Sequence, residues 1–93
     1  MSYRLVVLKG AQRNLRKLSA DLRPRAMRRI EALLGNPHPN DALPLAAALR
    51  GVWRVPFAED WRIAYQVDDS SETVTIWAVS HRHSVYDELK RRL

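Results

Sequence analysis

The chain has 93 residues, 46% of them hydrophobic, and no cysteine, so it has room for one small core and excludes disulfides and thiolate metal sites as supports for that core. No segment approaches the roughly 20 apolar residues that cross a bilayer, which excludes a helical membrane protein. Met1 to Leu5 also lack the apolar run of a signal peptide. We therefore expect a single cytoplasmic domain over residues 1–93.

The formal charge of +6 is concentrated in the N-terminal third of the chain. Residues 1–35 carry nine basic residues against two acidic ones, a net charge of +7, and the rest carries seven against eight, or −1. A basic surface of this kind attracts nucleic acid or an acidic protein. The alternative is an arginine-rich helix face that is only solvated.

The first predicted elements are a strand and a helix. The run Tyr3–Leu8 is rich in β-branched and aliphatic residues, which indicates a buried strand. From Ala11 to Leu22, apolar residues recur every three or four positions with basic residues between them. This periodicity is typical of an amphipathic helix.

A second helix is predicted around Pro24. Because proline lacks an amide donor and is best tolerated in the first turn, the helix should begin near Arg23 and run to Leu34. Gly35-Asn36-Pro37 ends it. The residues expected to face inward are Met27, Ile30, Leu33 and Leu34. The two helices thus form a basic hairpin with one apolar face.

Three strands are predicted in the second half of the chain. Residues 36–47 form an irregular, proline-rich connection, and a short Leu/Ala run then leads toward Leu49. The strands follow over Val52–Phe57, Trp61–Asp68 and Thr73–His81, and short polar turns join them.

Alternation along these strands places three basic residues together. Arg54 lies on the face opposite Trp53 and Val55, and Arg62 lies on the face opposite Ile63. The apolar set of the third strand that most naturally faces the core is Val74, Ile76 and Ala78. The residues left on the far side are Thr75, Trp77, Val79 and His81. Arg54, Arg62 and His81 therefore share one face if no bulge intervenes.

A short helix is predicted to close the fold. Ser84 is a suitable N-cap for a helix over Val85–Leu93, with Tyr86 in its first turn and Arg82 just past the strand end. The fold class is α+β, with the order β-α-α-β-β-β-α. An N-terminal strand and the basic two-helix hairpin would pack with a small, mainly antiparallel sheet.

Taken in order, these segments resemble the RelE/ParE superfamily, the small toxins of bacterial toxin–antitoxin pairs. The resemblance covers nearly the whole chain and depends on Leu49-Arg50-Gly51 with Trp53-Arg54-Val55, on Trp61-Arg62-Ile63-Ala64-Tyr65-Gln66-Val67, and on His81-Arg82-His83-Ser84-Val85-Tyr86. A His/Arg pair followed shortly by Val-Tyr is similar to the RelE branch. The resemblance implies a ribosome-dependent endoribonuclease that cuts messenger RNA without metal or cofactor. It also implies contacts with ribosomal RNA and silencing by an acidic antitoxin in a hetero-oligomer.

The implied reaction suits the residues. The 2′-hydroxyl attacks the adjacent phosphate, forms a 2′,3′-cyclic phosphate and expels the 5′-oxygen of the next nucleotide. Guanidinium groups stabilise the charge that gathers on the phosphoryl oxygens, which assigns this role to Arg54 and Arg62. His81, with a reference pKa of about 6.5, or by resemblance Arg82, supplies the proton to the leaving oxygen. Tyr86 stacks on a base or positions the hydroxyl. The other candidate RNA contacts are Arg13, Arg16, Lys17, Arg28 and His83.

One position departs from the family pattern. Several RelE-branch toxins carry a second basic residue two positions after the one matched by Arg54, where this chain has Pro56. The general base is then a histidine or Glu59 in the adjacent turn, or the chemistry is slower, or catalysis has been lost. Because proline cannot donate to a strand ladder, we expect its strand to lie at an edge, to bulge or to be nearly finished at Pro56.

Structural roles are alternatives for the same residues. Arg54 and Arg62 are candidates for surface ion pairs, His81 and His83 for ordinary surface histidines, and Tyr86 for packing under the last helix. The acidic neighbours available for such ion pairs are Glu59, Asp68 and Glu72. The tryptophans favour packing: Trp53, Trp61 and Trp77. At the level of the protein, the alternatives are a ParE-like DNA gyrase inhibitor that acts by binding, or an inactive relative that acts as a co-repressor.

Overall fold

In a computed structural model, which describes residues 2–45 and 51–92, five strands form one sheet in the order β1-β5-β4-β3-β2. The strands are β1 Arg4–Val7, β2 Leu43–Pro44, β3 Val52–Ala58, β4 Trp61–Asp68 and β5 Thr73–His81. The helices are α1 Lys9–Lys17, α2 Leu22–Gly35 and α3 Val85–Arg92. Only β1 and β5 pair in parallel. The predicted α+β order is confirmed, with the two-residue β2 added inside the segment expected to be irregular. The expected Leu/Ala run toward Leu49, like Arg50, lies outside the described residues.

The helices α1 and α2 cover one face of the sheet and form the main core with it. Trp53 and Trp61 are partly buried at its margin, as predicted. Met27, expected to face inward, is 40% exposed, because the neighbouring Ala26 takes the fully buried position on α2. No helix in the described ranges is long and apolar enough to cross a membrane. Buried residues of this core include Ile30, Leu33, Val55, Ile63 and Ile76.

The helix α3 packs on the opposite face, over a second and smaller cluster. The buried members of this cluster are Val52, Ala64, Ala78, Val85 and Leu89. The small side chains of Ala64 and Ala78 let the helix approach the sheet closely. Trp77 packs against the same cluster, and its indole N–H donates to the Gln66 side chain at 2.6 Å. The packing role predicted for Trp77 is therefore confirmed.

A β-bulge interrupts the pairing of β5 with β4. Ala64 lies opposite Ala78, but the next residue of β4, Tyr65, lies opposite Ile76. Trp77 is thus an extra residue of β5, inserted between the ladder pairs Ala64–Ala78 and Tyr65–Ile76. A residue inserted in this way reverses which face each later side chain of the strand occupies.

The reversal corrects three expectations for β5. Val79, expected on the far side, is buried in the main core, whereas Ala78, expected in that core, lies under α3. His81 moves to the face of α1 and α2, since it now pairs with Trp61. The physical reason is volume: the bulge gives the main core the branched Val79 and gives α3 the small Ala78.

The strand β1 is less buried than its sequence indicates. Leu5 and Val6 are 39% and 43% exposed, so the prediction of a buried strand was wrong. Among the strands of the described ranges, β1 pairs only with β5 and forms one edge of the sheet. Its apolar composition therefore reflects strand formation at an edge and not burial on both faces.

Substitution of Tyr65 by phenylalanine is expected to lower the free energy of unfolding by about 1 kcal/mol at neutral pH. Tyr65 is fully buried, and its hydroxyl donates to the Pro37 carbonyl at 2.9 Å. Burial raises the pKa of Tyr65 from 10.0 to about 12. A tyrosine whose pKa is raised on folding contributes stability below its unfolded pKa, and that contribution is lost as pH rises through the folded value.

Urea unfolding of both proteins from neutral pH to about pH 11.5 checks this prediction. The wild-type protein should lose the Tyr65 contribution between pH 10 and about 12, and the phenylalanine variant cannot. The difference between the two proteins should therefore shrink as pH rises. A difference that stays constant over this range would contradict the proposed state of the hydroxyl.

Candidate functional site

Arg54 and Arg62 lie on the sheet face that carries α3. In the β3–β4 register, Arg54 is opposite Ala64 and Arg62 is opposite Pro56. The two arginines are therefore diagonal neighbours on adjacent strands, a relation that brings Cβ atoms to about 7 Å or less. The sequence correctly predicts that these two side chains share a face. They form a two-guanidinium surface beside α3, which we call the arginine pair.

The Arg62 guanidinium is held by the turn that joins β3 to β4. Its Nη1 donates to the carbonyls of Trp61, Glu59 and Ala58 at 3.0, 3.2 and 3.4 Å. Neither Arg62 nor Arg54 forms a salt bridge within residues 2–45 and 51–92. Within these ranges, the surface ion pairs considered as an alternative for Arg54 and Arg62 are therefore not formed. Arg62 is oriented by neutral carbonyls, so its charge stays available to an anion.

Arg82 is tied to the same turn. Its backbone N–H donates to the Asp60 carbonyl at 2.7 Å, and its Nε lies 3.2 Å from Asp60 Oδ1. The two side chains of this salt bridge are half exposed. The Arg82 guanidinium therefore approaches the turn that orients Arg62, which places a third cation at this end of the sheet.

His81 does not lie with the arginine pair, so the predicted convergence of the three was wrong. The register places Ser80 opposite Arg62 and His81 opposite Trp61. The His81 ring packs edge-on against Trp61, with ring centroids 5.5 Å apart, and lies 5.1 Å from the ring of His83. The bulge in β5 is the cause, because it places the His81 side chain on the opposite face of the sheet from Arg62.

Tyr86 occupies the first turn of α3, as predicted, and its ring is 37% exposed. The neighbouring Val85 is buried against the sheet, which fixes the helix on this face. Lys90 Nζ lies 5.4 Å from the Tyr86 ring centroid, a cation–π arrangement. The phenol is thus not buried under the helix.

The basic helices present most of their charge to solvent. All five candidate RNA contacts are exposed or half-buried at the surface: Arg13, Arg16, Lys17, Arg28 and His83. Arg23 has a different role, because its guanidinium donates to the carbonyls of Leu15, Arg16 and Leu18 at the end of α1. This interaction orders the turn between the two helices.

A further basic cleft, which was not predicted from the sequence, lies between α2 and the β3–β4 turn. Arg25, Arg28 and Arg29 line one wall. Their spacing of three and four residues, which places side chains on one helix face, was the available signal. Glu59, considered as a general base, lines this cleft. Asp41 also lines it and forms a salt bridge with Arg29.

Comparison with known proteins identifies the family. Residues 5–86 match the model described as ParE toxin of type II toxin–antitoxin system, parDE. No curated protein matches the chain. Among solved structures, the toxin–antitoxin complex RelBE2 from Mycobacterium tuberculosis has a chain that is 27% identical, with a TM-score of 0.73 over 88% of this chain and 100% of that one.

Two further structures share the fold at lower identity. A mutant of the Escherichia coli toxin RelE in the free state is 22% identical, with a TM-score of 0.78 over 100% of this chain and 99% of that one. The YoeB/ParE toxin from Agrobacterium tumefaciens is 16% identical, with a TM-score of 0.74 over 84% and 96%. The family model spans most of the chain and agrees with the residues that first indicated the resemblance. The chain therefore belongs to the ParE toxin family of type II toxin–antitoxin systems, within the RelE/ParE superfamily.

Proposed function

We propose that this toxin is a ribosome-dependent messenger RNA endoribonuclease. The observation that carries the proposal is the arginine pair, in which Arg62 is oriented by three turn carbonyls and neither arginine is neutralised by a carboxylate among the described residues. Two such guanidinium groups on one face suit a phosphodiester whose negative charge grows during the reaction.

In the proposed reaction, the 2′-oxygen forms a bond to the adjacent phosphorus while the bond from phosphorus to the 5′-oxygen breaks. The products are a 2′,3′-cyclic phosphate and a free 5′-hydroxyl. Arg54 and Arg62 bind the non-bridging oxygens, and Tyr86 positions the attacking nucleotide. Arg82, held at the same turn, donates a hydrogen bond to the leaving oxygen, which takes the proton of the new 5′-hydroxyl from water. The 2′-hydroxyl proton passes to solvent or to ribosomal RNA, since His81 and Glu59 line other surfaces.

The test is a primer-extension assay on ribosomes programmed with messenger RNA, run in parallel with a DNA gyrase supercoiling assay. Cleavage within the decoding site together with normal supercoiling would support the proposal. Inhibited supercoiling with intact messenger RNA would favour a ParE-like gyrase inhibitor. That second candidate is favoured by one observation, the match of residues 5–86 to a model described as a ParE toxin.

His81→Ala is expected to lower the cleavage rate by less than about tenfold. Its side chain lies against Trp61 on the face opposite Arg62, so the loss should appear mainly as about 0.5 to 1.5 kcal/mol of stability from the ring contact. Initial cleavage rates and urea unfolding measure the two effects. A hundredfold loss of rate, with a pH profile altered near the histidine pKa, would instead place His81 in proton transfer.

We also propose that an acidic antitoxin covers the basic helices and the sheet. The net charge of +7 over residues 1–35 supports this partner, as does the known complex of the RelBE2 relative. Exposed Leu5 and Val6 on edge strand β1 offer apolar area to the same partner. Affinity for the antitoxin should fall as salt is raised. Salt-insensitive binding in a titration would contradict the electrostatic part of this proposal.

A further inference from the structure

The basic cleft between α2 and the β3–β4 turn is not part of the proposed reaction centre. It has a volume of about 490 Å³ and opens widely to solvent, within the size range of small-ligand sites. Arg25, Arg28 and Arg29 form one wall, and Pro56 and Phe57 contribute to the other. Phe57 is nearly buried, so it supplies a wall and not a stacking platform for a base.

Two of the three cleft arginines are uncommitted. Arg29 is fixed by its salt bridge with Asp41, and its Nε is buried without a hydrogen-bond partner among the described residues. Arg25 and Arg28 are exposed and form no salt bridge within residues 2–45 and 51–92. The two residues are three positions apart on α2, a spacing that places their side chains on the same helix face. Arg25 and Arg28 therefore present permanent positive charge to a multivalent anion. The carboxylate of Glu59, which also lines the cleft, opposes this charge.

Pro56 borders both the cleft and the arginine pair. This residue lies directly opposite Arg62 in the β3–β4 ladder and also lines the cleft. Within the described residues, strand β2 pairs only with Trp53 and Arg54, so β2 does not reach Pro56. Strand β3 is not an edge strand of the sheet, but its pairing with β4 bulges directly after Pro56, which is one of the outcomes that the sequence predicted for this proline. A proline in that position cannot donate a ladder hydrogen bond, which disfavours addition of a peptide strand. A polyanionic chain needs no backbone hydrogen bonds from the strand, so it fits this part of β3 better than a peptide strand does.

We propose that Arg25 and Arg28 bind backbone phosphates of the RNA strand beside the nucleotide held at the arginine pair. This inference deepens the proposed endoribonuclease function and depends on it for the identity of the strand. The cleft contributes affinity and register but no reacting group. Because phosphate carries no base identity, it should bind RNA of any sequence.

The test uses a fluorescent, single-stranded 2′-O-methyl RNA, whose blocked 2′-oxygen cannot attack phosphorus. Binding to Arg25→Gln/Arg28→Gln is expected to weaken by about tenfold or more at low salt. The slope of log K against log salt should fall by about 1.4, or about 0.7 for each phosphate that the variant no longer neutralises. The matched control is Arg4→Gln/Lys9→Gln. It removes the same charge from exposed positions on edge strand β1 and the start of α1, and should change binding less than about threefold.

Glu59→Gln should tighten binding of the same RNA by a few fold, because it removes a carboxylate from the cleft. Equal losses in the cleft variant and the control, or no measurable binding by the wild-type protein, would overturn the proposal. If Arg25→Gln/Arg28→Gln weakened binding of a polyglutamate peptide but not of the RNA, the proposal would be overturned, and the ligand of the cleft would be an acidic protein. The oligonucleotide is not cleaved, so a failure of the endoribonuclease proposal would appear separately, as intact messenger RNA on ribosomes.

Discussion

Replacing Arg62 with alanine is expected to lower the rate of ribosome-dependent cleavage by about 10²- to 10³-fold, the usual effect of removing one preorganised donor from a developing oxyanion. Arg62 is the most firmly oriented member of the arginine pair, since its Nη1 contacts three carbonyls at the turn between β3 and β4. Loss of these hydrogen bonds should lower the free energy of unfolding by only about 1 kcal/mol. The variant should therefore remain folded while cleavage fails.

Two variants control for charge and for shape. Arg62→Lys keeps the charge but cannot present a planar fork, so we expect a smaller loss of about tenfold. Arg4→Ala removes a cation from the exposed edge strand β1 and should leave the rate within about twofold. Primer extension measures the rate, and circular dichroism verifies folding. An alanine variant within about tenfold of the wild-type rate would show that Arg62 does not act on the phosphate.

The part of the site that sequence predicts well depends on regular alternation. Along β4, the apolar residues Ile63 and Tyr65 are fully buried on one face, and Arg62 lies on the other. The same parity holds for Arg54 on β3, where β2 and β4 flank the strand. Because side chains alternate strictly in a regular strand, the arginine pair follows directly from residue spacing.

The failure at His81 has an equally specific cause. One inserted residue, Trp77, reverses the parity of everything after it in β5. The large apolar residues do carry a trace of this change, since Val74 and Ile76 are two positions apart but the next branched residue, Val79, is three further on. Such a break in period is the sequence signal of a bulge, although the choice between Ala78 and Val79 for the core is decided by packing against the helices.

The basic cleft and β2 depend on interactions between distant segments. Arg29 meets Asp41 across the connection that follows α2, and β2 forms only because residues 43–44 reach the edge of β3. Neither interaction has a periodic signature in the sequence. Helical spacing alone places Arg25, Arg28 and Arg29 on one face, but it does not specify that this face lies opposite Pro56.

The second large effect is expected for Leu89→Ala. Leu89 is fully buried in the cluster that attaches α3 to Ala64 and Ala78, and truncation of a buried leucine lowers stability by about 2 to 5 kcal/mol. α3 contains eight residues and follows the last strand, so it can detach while the sheet stays folded. The loss should then be limited to the free energy that holds α3 on the sheet.

Hydrogen exchange distinguishes local detachment of α3 from unfolding of the whole protein. Amides of α3 should lose protection by about 30-fold or more in Leu89→Ala, and amides of β4 and β5 should keep theirs. Leu89→Met conserves volume and should change exchange little, which makes it the matched control. If Tyr86 positions the attacking nucleotide, cleavage should fall in the alanine variant with the population of detached α3, because the phenol leaves the sheet face with the helix. Detached α3 with an unchanged cleavage rate would remove Tyr86 from the proposed reaction and leave phosphate binding to the arginines alone.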